Sequence, residues 1–271
     1  MQTSQLSRVV AAATATASGL GLEVADAIIL QNSNKVALRL TPCDVMARVA
    51  LDGEENAEFE VALAQQLNNL GSPVSALDPR VPPQVCFRDG FAITLWTYYQ
   101  SLPGEITPID YAQALHRLHA GLRQVTITSP HFTDRVASAQ QLLDDHDRTP
   151  ELGSRDRRLL SDTLRELGRQ IAARAKDQLL HGEPHPGNLL NTRTGPVFID
   201  LETCCRGPIE FDLAHAPDDV CDHYPGVDQQ LLSDCRKLVL AMITAWRWDR
   251  DDQLPDGRRL AEEWIAQLRT I

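Results

Sequence analysis

The run His181-Gly182-Glu183-Pro184-His185-Pro186-Gly187-Asn188 gathers polar, reactive side chains between two short apolar stretches. Further on, the strand-like segment Phe198-Ile199-Asp200-Leu201-Glu202 presents an aspartate near its end. This combination suits phosphoryl transfer. That reaction needs a carboxylate beside the attacking hydroxyl, to orient it and take its proton. It also needs hard oxygen ligands for a magnesium ion that neutralises phosphate charge. Glu183 supplies the first part, and Asn188 and Asp200 the second.

Other chemistries fit these residues less well. His181, Glu183 and His185 alternate, so a regular strand would put them on one face as zinc ligands. Pro184 and Pro186 disfavour such a strand, and the zinc-helix motif needs a different spacing. The six cysteines, Cys43, Cys86, Cys204, Cys205, Cys221 and Cys235, contain no C-x-x-C pair and read as reduced, mostly buried thiols. A zinc site from Cys204, Cys205, Cys221 and His223 would match no common ligand pattern.

The octad His-Gly-acid-x-His-x-x-Asn resembles the catalytic loop of the aminoglycoside phosphotransferase and choline kinase-like family, within the protein-kinase-like superfamily. Gly207-Pro208-Ile209-Glu210-Phe211-Asp212-Leu213-Ala214 is similar to the stretch that follows the magnesium aspartate in that family. Ala114-Leu115-His116-Arg117-Leu118-His119 resembles its helix after the hinge. The resemblance implies Glu183 as the catalytic carboxylate, with Asn188 and Asp200 as magnesium ligands. It makes His181 and His185 loop-holding residues. It also implies ATP or GTP as phosphoryl donor. The acceptor would be a small hydroxyl compound: an aminoglycoside-like antibiotic, an amino sugar or an amino alcohol. The family usually has Asp where this chain has Glu183. The two acids differ by only about 0.4 pKa unit, but the extra methylene moves the carboxylate. That substitution keeps a second reading open, a kinase-like protein that binds nucleotide and transfers little or nothing. A protein kinase is a weaker reading, because Gly207-Pro208-Ile209-Glu210 stands where an A-P-E segment would follow.

The nucleotide-binding half carries no P-loop and no G-x-G-x-x-G loop. The resemblance puts Gln31-Asn32-Ser33-Asn34 near the phosphates, with Ser33 as a contact. Kinase-like folds pair a lysine on the third strand with a glutamate on the next helix. Here Arg48 and Glu60 occupy those places. Glu60 is centred on an apolar helix face, where a carboxylate needs a partner. Leu95-Trp96-Thr97-Tyr98 is the expected hinge against the nucleobase. Candidates for the acceptor wall are Asp218, Asp222 and Trp246. Residues 207–271 hold 13 acids against 7 bases, a balance that suits a cationic acceptor.

These residues must be carried by two kinds of structure. Helix spacing is expected over Ser4–Ser18. Strands follow at Ala27–Leu30, at Lys35–Leu40, ended by Pro42, and at Val45–Leu51. A helix over Glu54–Leu70 precedes a hairpin, Val85–Arg88 with Phe91–Trp96 about Asp89-Gly90. Helices dominate beyond Pro103-Gly104: Ile109–Leu122, Asp134–Asp147, Glu151–Lys176, Val227–Trp248 and Arg258–Leu268. Only Gln178–Leu180 and Val197–Leu201 read as strands there. The expected fold class is therefore α+β: a small antiparallel N-terminal lobe (residues 1–100) and a larger helical lobe (101–271), with nucleotide between them. The chain has 271 residues and a net charge of −11, a poor match to nucleic-acid backbones. No apolar run approaches a membrane span, and no secretory signal is recognisable. The expectation is a cytoplasmic monomer or homodimer acting on a small molecule.

Overall fold

The computed structural model describes residues 3–33, 35–53, 56–174 and 176–270. Asn34, Glu54, Glu55 and Ala175, expected above in a turn and two helices, lie outside the described residues. In chain order, α1 (Thr3–Gly19) leads into β1 (Val24–Asn32), β2 (Val36–Pro42) and β3 (Val45–Leu51). Then come α2 (Asn56–Asn69), β4 (Cys86–Arg88), β5 (Phe91–Thr97) and α3 (Pro108–Leu122). Next are α4 (Phe132–Asp144), α5 (Ser154–Arg174), β6 (Gln178–Leu180), β7 (Leu189–Thr192), β8 (Gly195–Phe198) and β9 (Cys205–Gly207). Four helices end the chain: α6 (Ile209–Leu213), α7 (Asp218–Cys221), α8 (Gln229–Arg247) and α9 (Gly257–Leu268). The fold class is α+β, and no helix among the described residues is long and apolar enough to cross a membrane.

Two compact units emerge, one comprising the chain up to Ile127 with Gly187–Glu202, the other Thr128–Pro186 with Thr203–Ile271. The first is built on an antiparallel sheet of order β1-β2-β3-β5-β4. Alternation along the strands divides its two faces. Val36, Leu38 and Leu40 of β2 and Val45, Ala47 and Val49 of β3 are fully buried, packed with Val9, Ala12, Ala13 and Ala17 of α1. Burying each leucine side chain contributes about 2 kcal/mol. The intervening residues, Ala37, Arg39, Met46 and Arg48, belong to the other face.

Pro42 does not end the second strand early. It is the last residue of β2 and pairs with Val24, because a terminal proline forfeits only the outermost ladder bond. The expected strand Val197–Leu201 is instead the hairpin β7–β8, with Leu189 opposite Phe198. This hairpin groups with the sheet rather than with the helices that precede it in sequence. Phe198 N donates to Pro73 O and Ser75 N to Phe198 O, both at 2.8 Å, and the Tyr111 ring packs edge-on to Phe198. Residues 101–127, which include α3, join the same unit.

The second unit is a helical bundle around Leu160, Leu164, Leu238, Met242, Ala245 and Ile265, plus the small sheet β6–β9. Caps set two of its helix starts. His131 and Asp134 form a capping box that begins α4 at Phe132, and Asp228 accepts from the Gln230 and Leu231 amides ahead of α8.

Candidate active site

In the strand-rich unit, Arg48 sits in the middle of β3, opposite Ala37 on β2 and Thr94 on β5. Small neighbours leave its long side chain room beside the sheet. Its Nη1 pairs with Glu60 of α2, and its Nη2 donates to Asp200 Oδ1 at 2.7 Å. Glu60, only 3% exposed, also accepts the Leu201 amide at 3.1 Å. Burial works against the arginine charge, but Glu60 and then Asp200 outweigh it and hold the guanidinium above its ordinary pKa. The planar fork reaches both carboxylates through separate, fixed nitrogens.

Asp200 adopts a left-handed backbone, φ 66°, which is unusual for a residue with a side chain. Its anchors are Arg48 on the carboxylate and Glu60 on the next amide. Oδ2 of Asp200 carries no hydrogen bond among the described residues. One step beyond the Leu189–Phe198 pair, Asn188 O accepts from Ile199 N at 3.0 Å. The hairpin thus sets Asn188 and Asp200 at its open end, one on each strand's extension. Both offer hard oxygen donors, which fits magnesium. Among the described residues, no group of three or more His, Cys, Asp or Glu side chains could hold a metal by itself. A two-ligand site suits an ion that takes its remaining ligands from substrate phosphates and water.

A cleft of about 190 Å³ opens beside this network, lined by Gln31, Ser33, Lys35, Arg48, Asp200 and Glu202. Ser33 lies in the turn between β1 and β2, with its amide donating to Lys35 O at 3.1 Å. Lys35 forms an ion pair with Glu202. The expected hinge residues are largely committed elsewhere. Leu95 O accepts from Asp78 N at 3.1 Å, Thr97 N donates to Ala76 O at 2.8 Å, and Trp96 is a core side chain bonded to Thr94. Arg39 stacks over the Tyr98 ring at 4.3 Å.

The helical unit holds Glu183. Its loop follows β6 and begins with the fully buried His181. Asp212 of α6, also fully buried, accepts the His181 amide at 2.9 Å and the Gly182 amide at 2.8 Å. His181 Nδ1 in turn faces the Glu183 amide at 3.4 Å. Gly182 has φ +90°, and a Cβ there would fall 2.0 Å from Thr203 O, so no other residue fits without a backbone shift. Arg135 of α4 donates to Gly182 O at 2.8 Å and pairs with Glu183. The same guanidinium lies 5.5 Å from the Trp246 ring. His215 Nε2 is sealed from solvent with no hydrogen-bond partner among the described residues. Burial first, and then Arg135, lowers the His215 pKa to about 4, so the ring is neutral at pH 7.

Of the acceptor candidates, Trp246 reaches the Glu183 neighbourhood through Arg135. Asp218 does not: it is exposed and pairs with Arg236 at 2.8 Å. Asp222, at the end of α7, is exposed beside Cys221. Burial pushes the Cys205 thiol up to about 12, which leaves little thiolate for a metal. Four residues at these two sites had no role in the sequence reading: Lys35, Glu202, Arg135 and Asp212. Asp212 and Glu202 lay within recognised segments. The others are single charges whose partners stand 167 (Lys35 with Glu202) and 48 (Arg135 with Glu183) residues away.

The sequence profile described as the phosphotransferase enzyme family, APH, matches residues 30–252. The chain belongs to this phosphotransferase family. Its members of the aminoglycoside phosphotransferase and choline kinase-like branch are small-molecule kinases, and so is this enzyme. No curated protein matches the sequence. Solved structures share the fold at low identity. Choline kinase LicA from Streptococcus pneumoniae has a TM-score of 0.70 at 15% identity, over 98% of this chain and 100% of that one. Amicoumacin kinase hAmiN, in complex with AMP-PNP, Ca2+ and Ami, has 0.68 at 12%, over 99% and 96%. The GDP complex of wild-type aminoglycoside 2′-phosphotransferase-IIIa has 0.66 at 14%, over 98% and 99%. At such identities the likeness speaks for the kinase-like fold, while the profile match carries the family.

Proposed function

We propose that this phosphotransferase moves the γ-phosphoryl group of ATP or GTP, with magnesium, onto a hydroxyl of a small molecule. The acceptor class is an aminoglycoside-like antibiotic, an amino sugar or an amino alcohol. The observation that carries the reading is the Arg48–Glu60–Asp200 network, whose Arg48 and Asp200 line a polar cleft and which leaves Asp200 Oδ2 without a hydrogen bond among the described residues. Asn188 and Asp200 would hold magnesium, which when bound offsets phosphate charge. Ser33 lies on the cleft wall for the phosphates. Arg48 and Glu60 fix the direction of Asp200. Glu183 accepts the hydrogen bond of the acceptor hydroxyl and takes its proton as the new P–O bond forms. Arg135 fixes the Glu183 carboxylate, and Asp212 fixes the loop beneath it. The hinge Leu95–Tyr98 would meet the nucleobase through backbone groups that the Ala76–Asp78 segment does not already engage. Trp246, and more remotely Asp218 and Asp222, would bound the acceptor.

Both donors stay open: AMP-PNP is bound in the amicoumacin kinase structure and GDP in the aminoglycoside 2′-phosphotransferase structure. The deciding experiment is calorimetry with each nucleotide and magnesium, followed by nucleoside diphosphate release against a panel of aminoglycosides, amino sugars and amino alcohols. Acceptor-stimulated release that disappears in E183A supports the reading. No binding of either nucleotide refutes it. The Arg135–Glu183 ion pair favours one second reading, a nucleotide-binding protein that transfers nothing. Binding without release across the whole panel, unchanged in E183D, is its signature.

A further inference from the structure

Arg48 stands where kinase-like folds keep their phosphate-contacting lysine, yet both of its terminal nitrogens are bound to carboxylates. Glu60 and Asp200 bring two negative charges to its one positive charge. An arginine committed in this way positions other groups and has little charge left over for a phosphate. A second cation lines the same cleft. Lys35 lies in the turn just before β2, one residue ahead of the Val36–Val49 pair, and its side chain is 15% exposed. Its compact ammonium carries three donors on a flexible stem. It pairs with Glu202, whose side chain is 27% exposed and which also lines the cleft. Ser33, two residues before it, turns the chain through hydrogen bonds to the Lys35 carbonyl.

We infer that Lys35, just ahead of β2, is the cation that binds the nucleotide phosphates in this chain, and that Glu202 holds its ammonium in the cleft until phosphate takes over that contact. Arg48 is then a positioning residue, which holds Asp200 through the Glu60 clamp. The division follows from charge. Lys35 faces the partly solvated Glu202 carboxylate, which a polyphosphate can outcompete, whereas Arg48 is enclosed with two carboxylates.

The inference rests on the nucleotide reading of this cleft, so its test begins with the unaltered protein. Calorimetry with ATP, GTP and adenosine, in magnesium buffer, sets the reference. K35M should weaken binding of the nucleotide that the unaltered protein prefers by roughly 10- to 100-fold, the loss of one charge-assisted hydrogen bond. It should leave adenosine affinity within about twofold, because that ligand has no phosphate. K35R should recover part of the loss. E202Q should bind the triphosphate at least as tightly as the unaltered protein, since it removes the competing carboxylate. Triphosphate affinity unchanged in K35M overturns the inference, as does an equal loss for adenosine and triphosphate. An E202Q protein that loses affinity as K35M does overturns the role given to Glu202. If the unaltered protein binds neither ATP nor GTP, the nucleotide reading itself fails.

Discussion

Replacing Arg48 and Glu60, singly and together, measures whether they form a buried clamp. The two side chains are 16% and 4% exposed, so little water can take over for either partner. R48M strands the Glu60 carboxylate with one amide donor, from Leu201. Removing one partner of a buried ion pair costs about 3–5 kcal/mol. E60Q should be milder, at about 1–3 kcal/mol, because the amide oxygen still accepts from Leu201 and Arg48 keeps Asp200. The double variant strands no charge at residue 60, so its cost should fall short of the sum by about 2 kcal/mol. Urea denaturation followed by circular dichroism reads the global values. Hydrogen exchange of β3 and β5 peptides isolates the strand-rich unit, since the two compact units need not unfold together. Losses that add to within about 0.5 kcal/mol would refute the clamp.

D212N should lower stability by about 2–3 kcal/mol, seen as a lower denaturation midpoint, since one of two buried amide bonds then faces a donor. R135A should lower kcat at least tenfold, with the nucleotide KM little changed, because Arg135 holds Glu183 and not the cleft. An unchanged kcat would remove that role. Stability should also depend on His215. Its native pKa of about 4 lies below the unfolded value, about 6.5. Between these values the unfolded chain binds a proton that the native ring does not. The contribution is therefore complete above about pH 6.5 and is lost as the pH falls towards 4, by at most about 3 kcal/mol. H215Q should flatten the stability profile over that window in denaturant titrations at stepped pH, and an unchanged slope would contradict the burial argument.

The loop 181–188 and Asp200 were legible in sequence because their chemistry is local: acid, amide and aspartate follow one another within one loop and one hairpin. Strands with strong alternation, such as Val36-Leu38-Leu40, were legible for the same reason. The hairpin partner β7 was not, since Leu189-Leu190 offers two apolar residues and then polar ones. The strand β9 is three residues long and pairs with β6 through tertiary placement alone. Asp218 and Asp222 were drawn from an acidic stretch, and composition does not say which way a side chain points; the structure puts them at solvent. Lys35, Glu202 and Arg135 escaped notice because an ion pair formed across a fold leaves no periodic trace in the chain. Arg48 was legible through the resemblance, and Glu60 also because a carboxylate centred on an apolar helix face needs a partner.

The two arginines solve one physical problem twice. Each candidate reactive carboxylate, Asp200 in one unit and Glu183 in the other, meets an arginine that is also tied to something rigid. Arg48 is tied to Glu60 on α2, and Arg135 to the Gly182 carbonyl in the loop itself. A carboxylate on a loop has several rotamers, and catalysis needs one of them, since a misplacement of about 1 Å can cost about 100-fold in rate. A planar fork with two anchored bonds removes that freedom at modest entropic cost. This bears directly on Glu183. Its extra methylene, relative to the family's usual aspartate, adds a torsion that would otherwise blur the position of the proposed base. Arg135, bonded to the same loop's backbone, supplies the missing restraint. The glutamate and the arginine therefore belong together, and shortening the acid to E183D would draw it away from the group that holds it.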